Sequence, residues 1–231
     1  MIFSAIEAAV KFVEGNFPDC NIALLAGSAS RGEETMTSDL DIVIIDNSLN
    51  SYRESFVLYG WKIESFVHNF NSYLEQFEKD RNKGRPILAN MLIDSKVLKN
   101  NGELDDIRNT ANNFIENGPP PLSEEFIKAS RYFIYDLLDD FADSKNEQEA
   151  LITINNISLQ VADFILRLNG QWSGRGKGLT RALKAFDGSL YEKFFETLNC
   201  YYKHGNKQPF IEFVDYVYKP LGGTFFDGYK K

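Results

Sequence analysis

Two aspartates one residue apart, Asp39 and Asp41, open an apolar run that continues to Ile45. Side chains alternate along a strand, so both carboxylates point to one side of it. Two carboxylates held that close repel each other unless a cation lies between them. Oxygen donors suit Mg²⁺, which typically takes one or two carboxylates and completes its shell with water and phosphate oxygens. The residues just upstream offer the phosphate half. Gly27 and Ser28 follow the apolar run Ile22–Ala26. Glycine lets the backbone approach a ligand closely, and a hydroxyl with nearby backbone N–H groups can cradle phosphate oxygens. Arg31 adds a bidentate partner for the same charge, and Gly32 permits a turn. The segment from Leu24 to Ile45 therefore reads as a site for a metal and a triphosphate. Taken apart, its halves are a turn and a loop-to-strand cap; the pairing carries the reading.

The elements that must hold these residues follow from periodicity. Ser4 and Glu7 have the spacing of a capping box, and Ile2, Ile6, Ala9, Val10 and Val13 form one face of an N-terminal helix. The runs NIALLAG and LDIVII read as buried strands, and YGWKIESFVH alternates as a third. There Trp61, Ile63, Ser65 and Val67 point one way, and Lys62, Glu64, Phe66 and His68 the other. SYLEQFEKDR and ELDDIRNTANNFIEN read as helices, and KVLKN as a small strand. The proline-rich stretch after Gly118 ends this region. Beyond it only helical signals remain. Phe126, Ser130, Phe133, Ile134, Leu137, Leu138 and Phe141 mark one apolar face; Leu151, Ile154, Ile157, Val161, Ile165 and Leu168 mark another, with Gly170 as its stop. SLYEKFFETLNCYY and QPFIEFVDYVYK complete the set. The expected fold is α/β (α+β): a domain over 1–118 with a short mixed sheet, then an all-α helical bundle over 119–231.

Gly27-Ser28, Arg31-Gly32 and Ser38-Asp39-Leu40-Asp41 resemble the signature of the DNA-polymerase-β-like nucleotidyltransferase superfamily. The signature covers about a tenth of the chain, and the layout of the remainder is similar to bacterial aminoglycoside nucleotidyltransferases. The resemblance implies a third carboxylate on a neighbouring strand, for which Glu64 is the candidate, as metal ligand, general base or both. It also implies transfer of a nucleoside monophosphate, by default AMP from ATP, to a hydroxyl of a small, aminoglycoside-like acceptor, with one or two Mg²⁺ ions and release of pyrophosphate. Asp136, with Asp139 and Asp143 at helical spacing, is the alternative base or a contact for a cationic acceptor; its plain reading is a solvated helix face. In GQWSGRGKGLTR, Gly170, Gly174, Gly176 and Gly178 suggest a flexible loop. Lys177 and then Arg181 are its candidate phosphate contacts, and Trp172 a candidate for packing on a base or sugar. The same residues also suit a plain helix connection.

Bulk properties bound the alternatives. The 231 residues are 43% hydrophobic and 25% charged, which is globular composition. No apolar run approaches the roughly 20 residues of a membrane span, so no membrane partner is expected. A net charge of −8 argues against a broad nucleic-acid surface. Cys20 and Cys200 lie too far apart in sequence for a metal knuckle, and two ordinary thiols suit a cytoplasmic protein. Two other readings stay open: the same chemistry on a protein or RNA partner, as in toxin–antitoxin nucleotidyltransferases, and a module that binds nucleotide without turnover. Relatives that complete their site across a dimer leave a homodimer open as well.

Overall fold

The computed structural model describes residues 3–230. They divide into two compact units, Met1–Gly118 and Pro119–Lys231. In the first unit, α1 spans Ala5–Asn16 and starts at a complete capping box: Ser4 accepts from the Glu7 backbone, and the Glu7 side chain accepts from the Ser4 backbone. Its buried face is Ala5, Ala8, Ala9, Phe12 and Val13. This corrects the expected stripe. Ile6 is exposed, and Ile2 lies outside the described residues. The small alanines allow close approach to the sheet, and Phe12 supplies the bulk.

The strands are β1 (Ile22–Ala26), β2 (Asp39–Ile45), β3 (Tyr52–Leu58), β4 (Trp61–His68) and β5 (Lys96–Asn100), in the spatial order β3-β4-β2-β1-β5. Among the described residues only β2 and β4 pair in parallel; the other neighbours are antiparallel. The mixed sheet agrees with the expected fold class. Leu25, Leu40, Ile42, Ile44, Ile63 and Val67 pack with α1 on one face. Ile22, Leu24, Val43 and Ile45 are buried as well, so β1 and most of β2 are covered on both sides. That double burial explains why both strands read as continuous apolar runs rather than alternating ones.

Two elements of this unit, besides the single helical turn after β1, are absent from the sequence reading. One is β3, an edge strand whose residues are mostly exposed. It joins β4 through Tyr59 and Gly60, both with positive φ (58° and 85°), the geometry of a two-residue hairpin turn. The other is α4 (Ile87–Ile93), which follows α3 (Ser72–Lys83) after the left-handed Gly84 stop. Between β1 and β2, Gly27–Ser30 forms a single helical turn, α2. The Ser30 hydroxyl lies 2.8 Å from the Gly27 carbonyl and 3.0 Å from that of Asp94. It thereby ties this turn to the end of α4. Arg108 of α5 (Leu104–Glu116) donates to the carbonyls of Leu92 and Ser95 and holds the same corner.

The second unit is helical: α6 (Glu124–Asp143), α7 (Glu147–Leu168), α8 (Lys177–Phe186), α9 (Gly188–His204) and α10 (Gln208–Tyr218), with a 3₁₀ turn at Lys219–Leu221. Ser123 caps α6, its side chain accepting from the Phe126 backbone N–H. The core draws on Ile134, Leu138 and Phe141 of α6, Ile154, Ile157, Val161 and Ile165 of α7, and Phe210 and Phe213 of α10. Phe126, Phe133 and Leu151, expected on buried faces, are exposed. Phe133 instead meets the ring of Tyr229 edge-on. Among the described residues α7 is long and apolar enough to cross a membrane by composition, which the sequence reading did not anticipate. Its apolar stripe packs in this core.

Candidate active site

The register of β2 on its two neighbours builds the site. Asp41 pairs with Ala26 on β1 and with Glu64 on β4; Asp39 pairs with Lys62. Residues opposite one another in a sheet share a face, so Asp39, Asp41 and Glu64 project together. Each offers a carboxylate oxygen, and these three oxygens lie within 4.8 Å of one another. Asp41 and Glu64 are half-buried. Three hard oxygen donors so close together fit a divalent cation of the Mg²⁺ type, and without one their charges oppose each other.

Gly27 follows the Ala26 that pairs with Asp41, and its φ of 71° turns the chain away from the sheet. A side chain there would run into the Asp41 carboxylate. The position therefore needs glycine twice, for its backbone conformation and for the room that Asp41 takes. Ser28 donates to Ser38 across 3.3 Å, and Ser38 accepts from the Thr35 backbone at 2.9 Å. These bonds fold the loop after α2 back toward the start of β2. Arg31 pairs with Glu33 at 2.9 Å on the exposed side of that loop. An exposed pair of this kind contributes ~0–1 kcal/mol, so a phosphate can displace the glutamate at small cost.

Arg53, missed in the sequence, joins the site from β3. Its Nη2 forms an ion pair with Glu64 Oε2, and its guanidinium lies 4.7 Å from the centre of the Phe66 ring. Arg53 stands opposite Phe66, and Ser55 opposite Glu64, so the arginine reaches diagonally along the shared face. The signal that could have found it is the Tyr-Gly turn that follows YRESFVL and precedes the third strand.

The remaining candidates belong to the second unit. Asp136 is exposed on α6, as are Asp139 and Asp143. Lys177 and Arg181 are exposed on the first turns of α8. The expected flexible loop is thus shorter than anticipated, because Gly178 lies within the helix. Gly174 packs so tightly on the backbone of Gly178 and Leu179 that no side chain fits there. The Ser173 hydroxyl, 2.5 Å from Asp163, anchors the same segment to α7. Trp172 is half-buried.

No family model matches this sequence, and no curated protein matches it. Among solved structures, a nucleotidyltransferase-like protein from Exiguobacterium sibiricum 255-15 is similar, with a TM-score of 0.47 and 10% identity. The match covers 92% of this chain and 73% of that one. A likeness of this size carries no functional weight, so any functional reading has to stand on the residues themselves.

Proposed function

We propose that this protein transfers a nucleoside monophosphate, AMP from ATP in the first instance, to a hydroxyl of a small acceptor and releases pyrophosphate. The observation that supports this most is the convergence of Asp39, Asp41 and Glu64 beside the Gly27 bend. The motif resemblance points the same way. Asp39 and Asp41, with Glu64, are the residues to hold Mg²⁺. When bound, the ion would neutralise charge on the reacting phosphate oxygens.

The chain's own residues supply the rest. Gly27 and Ser28 border the space for the phosphates, with Arg31 free to exchange Glu33 for them. Glu64, on the strand farther from the bend, is the first candidate to take the proton of the attacking hydroxyl. The acceptor oxygen bonds to the α-phosphorus, the bridging bond to the β-phosphate breaks, and its electron pair leaves with pyrophosphate. An aminoglycoside is the first acceptor class to test.

The test is pyrophosphate release with each nucleoside triphosphate, Mg²⁺ and a panel of hydroxyl acceptors. Asp41→Asn is expected to reduce it by at least a hundredfold. Release that survives Asp41→Asn would overturn the reading.

A further inference from the structure

Phe66 and His68 follow Glu64 at two-residue steps along β4, on the same face as the carboxylates. Both help line a cavity of 340 Å³ between the hairpin of β3 and β4 and helices α3 and α4. Arg53 joins cavity and carboxylates directly, since it lines the one and pairs with Glu64 of the other. Glu64 engages its Nη2, and a guanidinium carries five donors, so donors remain for a ligand.

The charge lining this cavity is positive. Arg53 and Lys83 are its cations. Asp80 is its acid, and that carboxylate is committed: it is 2% exposed, and its oxygens accept from Gln76 at 2.8 Å and the Leu88 backbone at 2.9 Å. His68, buried and with Lys79 nearby, has its pKa held below the ordinary value. It is therefore a neutral hydrogen-bonding group at pH 7. Phe66 and Leu88 supply an apolar wall.

In-line transfer decides what enters this cavity. On the nucleotidyl-transfer reading the leaving pyrophosphate lies toward the Gly27 bend, on the β1 side of Asp41. The attacking hydroxyl must come from the opposite side. In the strand order that side is β4, where Glu64 and then this cavity lie. We propose that the cavity holds the acceptor by an acidic group, a carboxylate or a phosphate, set against Arg53 and Lys83, with its apolar body on Phe66 and Leu88. This rests on the nucleotidyl-transfer reading and replaces its first acceptor class, because a polycationic aminoglycoside would set its ammonium groups against Arg53 and Lys83. The acceptor oxygen gains the nucleotidyl group, its proton passes to Glu64, and pyrophosphate carries off the electron pair of the broken bond.

Two measurements on the full chain test it. The first is calorimetric binding of phenyl phosphate and, in parallel, phenylacetate, which separates a phosphate site from a carboxylate site. At least one is expected to bind more tightly than neutral benzyl alcohol. Lys83→Glu is expected to weaken that binding roughly tenfold, with Lys83→Gln in between. The second is pyrophosphate release with 4-hydroxyphenylacetate and glycerol 2-phosphate against tyrosol, glycerol and tobramycin. Acidic acceptors are expected to be preferred, and Lys83→Glu to raise their KM. Binding that is absent or indifferent to Lys83→Glu overturns the proposal, as does a preference for tobramycin or the neutral alcohols. Either result leaves nucleotidyl transfer standing if pyrophosphate is still released. Intact anion binding with no pyrophosphate release under any condition removes nucleotidyl transfer instead, and the acceptor role with it.

Discussion

At the residue scale, Gly27 and Arg53 bear on the carboxylate cluster in opposite ways. Alanine at Gly27 must adopt a left-handed φ, which costs about 1–2 kcal/mol, and must also displace the Asp41 carboxylate. Gly27→Ala is therefore expected to lower the melting temperature and to abolish Mg²⁺ binding in a calorimetric titration. Binding that matches the wild type would mean that Asp41 is not a ligand. Arg53 has the opposite sign. Its guanidinium neutralises Glu64 in the absence of an ion, and so competes with one. The pair is substantially exposed, with side-chain accessibilities of 58% and 25%, and pairs of that kind contribute ~0.2–1 kcal/mol. Arg53→Met should accordingly tighten Mg²⁺ binding by roughly two- to fivefold. A weaker affinity would show that the arginine orients Glu64 rather than competing for it.

At the element scale, the site depends on the β3–β4 hairpin and on the α3–α4 corner. Gly60 has φ of 85° and open space where a side chain would go. Gly60→Ala thus isolates the conformational term, about 1–2 kcal/mol, with no steric contribution. Chemical denaturation should show that loss with an unchanged slope. Asp80 has a different task. It is the buried acceptor for the Leu88 backbone N–H, at the start of α4. Removing it leaves that buried donor unmet, at about 1–3 kcal/mol. Asp80→Ala should destabilise the protein by that amount and loosen α4 in hydrogen exchange.

At the scale of the whole molecule, stability should fall in mild acid, and His68 is a named cause. Burial and Lys79 hold its pKa below the ordinary 6.5. The folded state therefore resists protonation that the unfolded chain accepts. The stability it contributes is complete above about pH 6.5 and is lost as pH drops through that value toward the folded pKa. Melting temperatures measured from pH 7.5 to 5.5 should decline. His68→Gln should flatten part of that decline; a curve unchanged by the substitution would place the acid sensitivity elsewhere.

The sequence by itself determined what depends on neighbours in the chain. The capping box at Ser4, the two buried strands around Gly27 and the shared direction of Asp39 and Asp41 all follow from spacings of one to four residues. The third carboxylate was a candidate only through the motif resemblance; the parallel pairing of Asp41 with Glu64 is a tertiary fact. Tertiary structure also decided β3, because an edge strand buries too little to show a clear apolar period. With β3 came Arg53, whose partner lies 11 residues away across a hairpin. The offset of the α1 face has the same origin: which of two adjacent apolar stripes is buried depends on the shape of the sheet beneath, and helical periodicity carries no record of it.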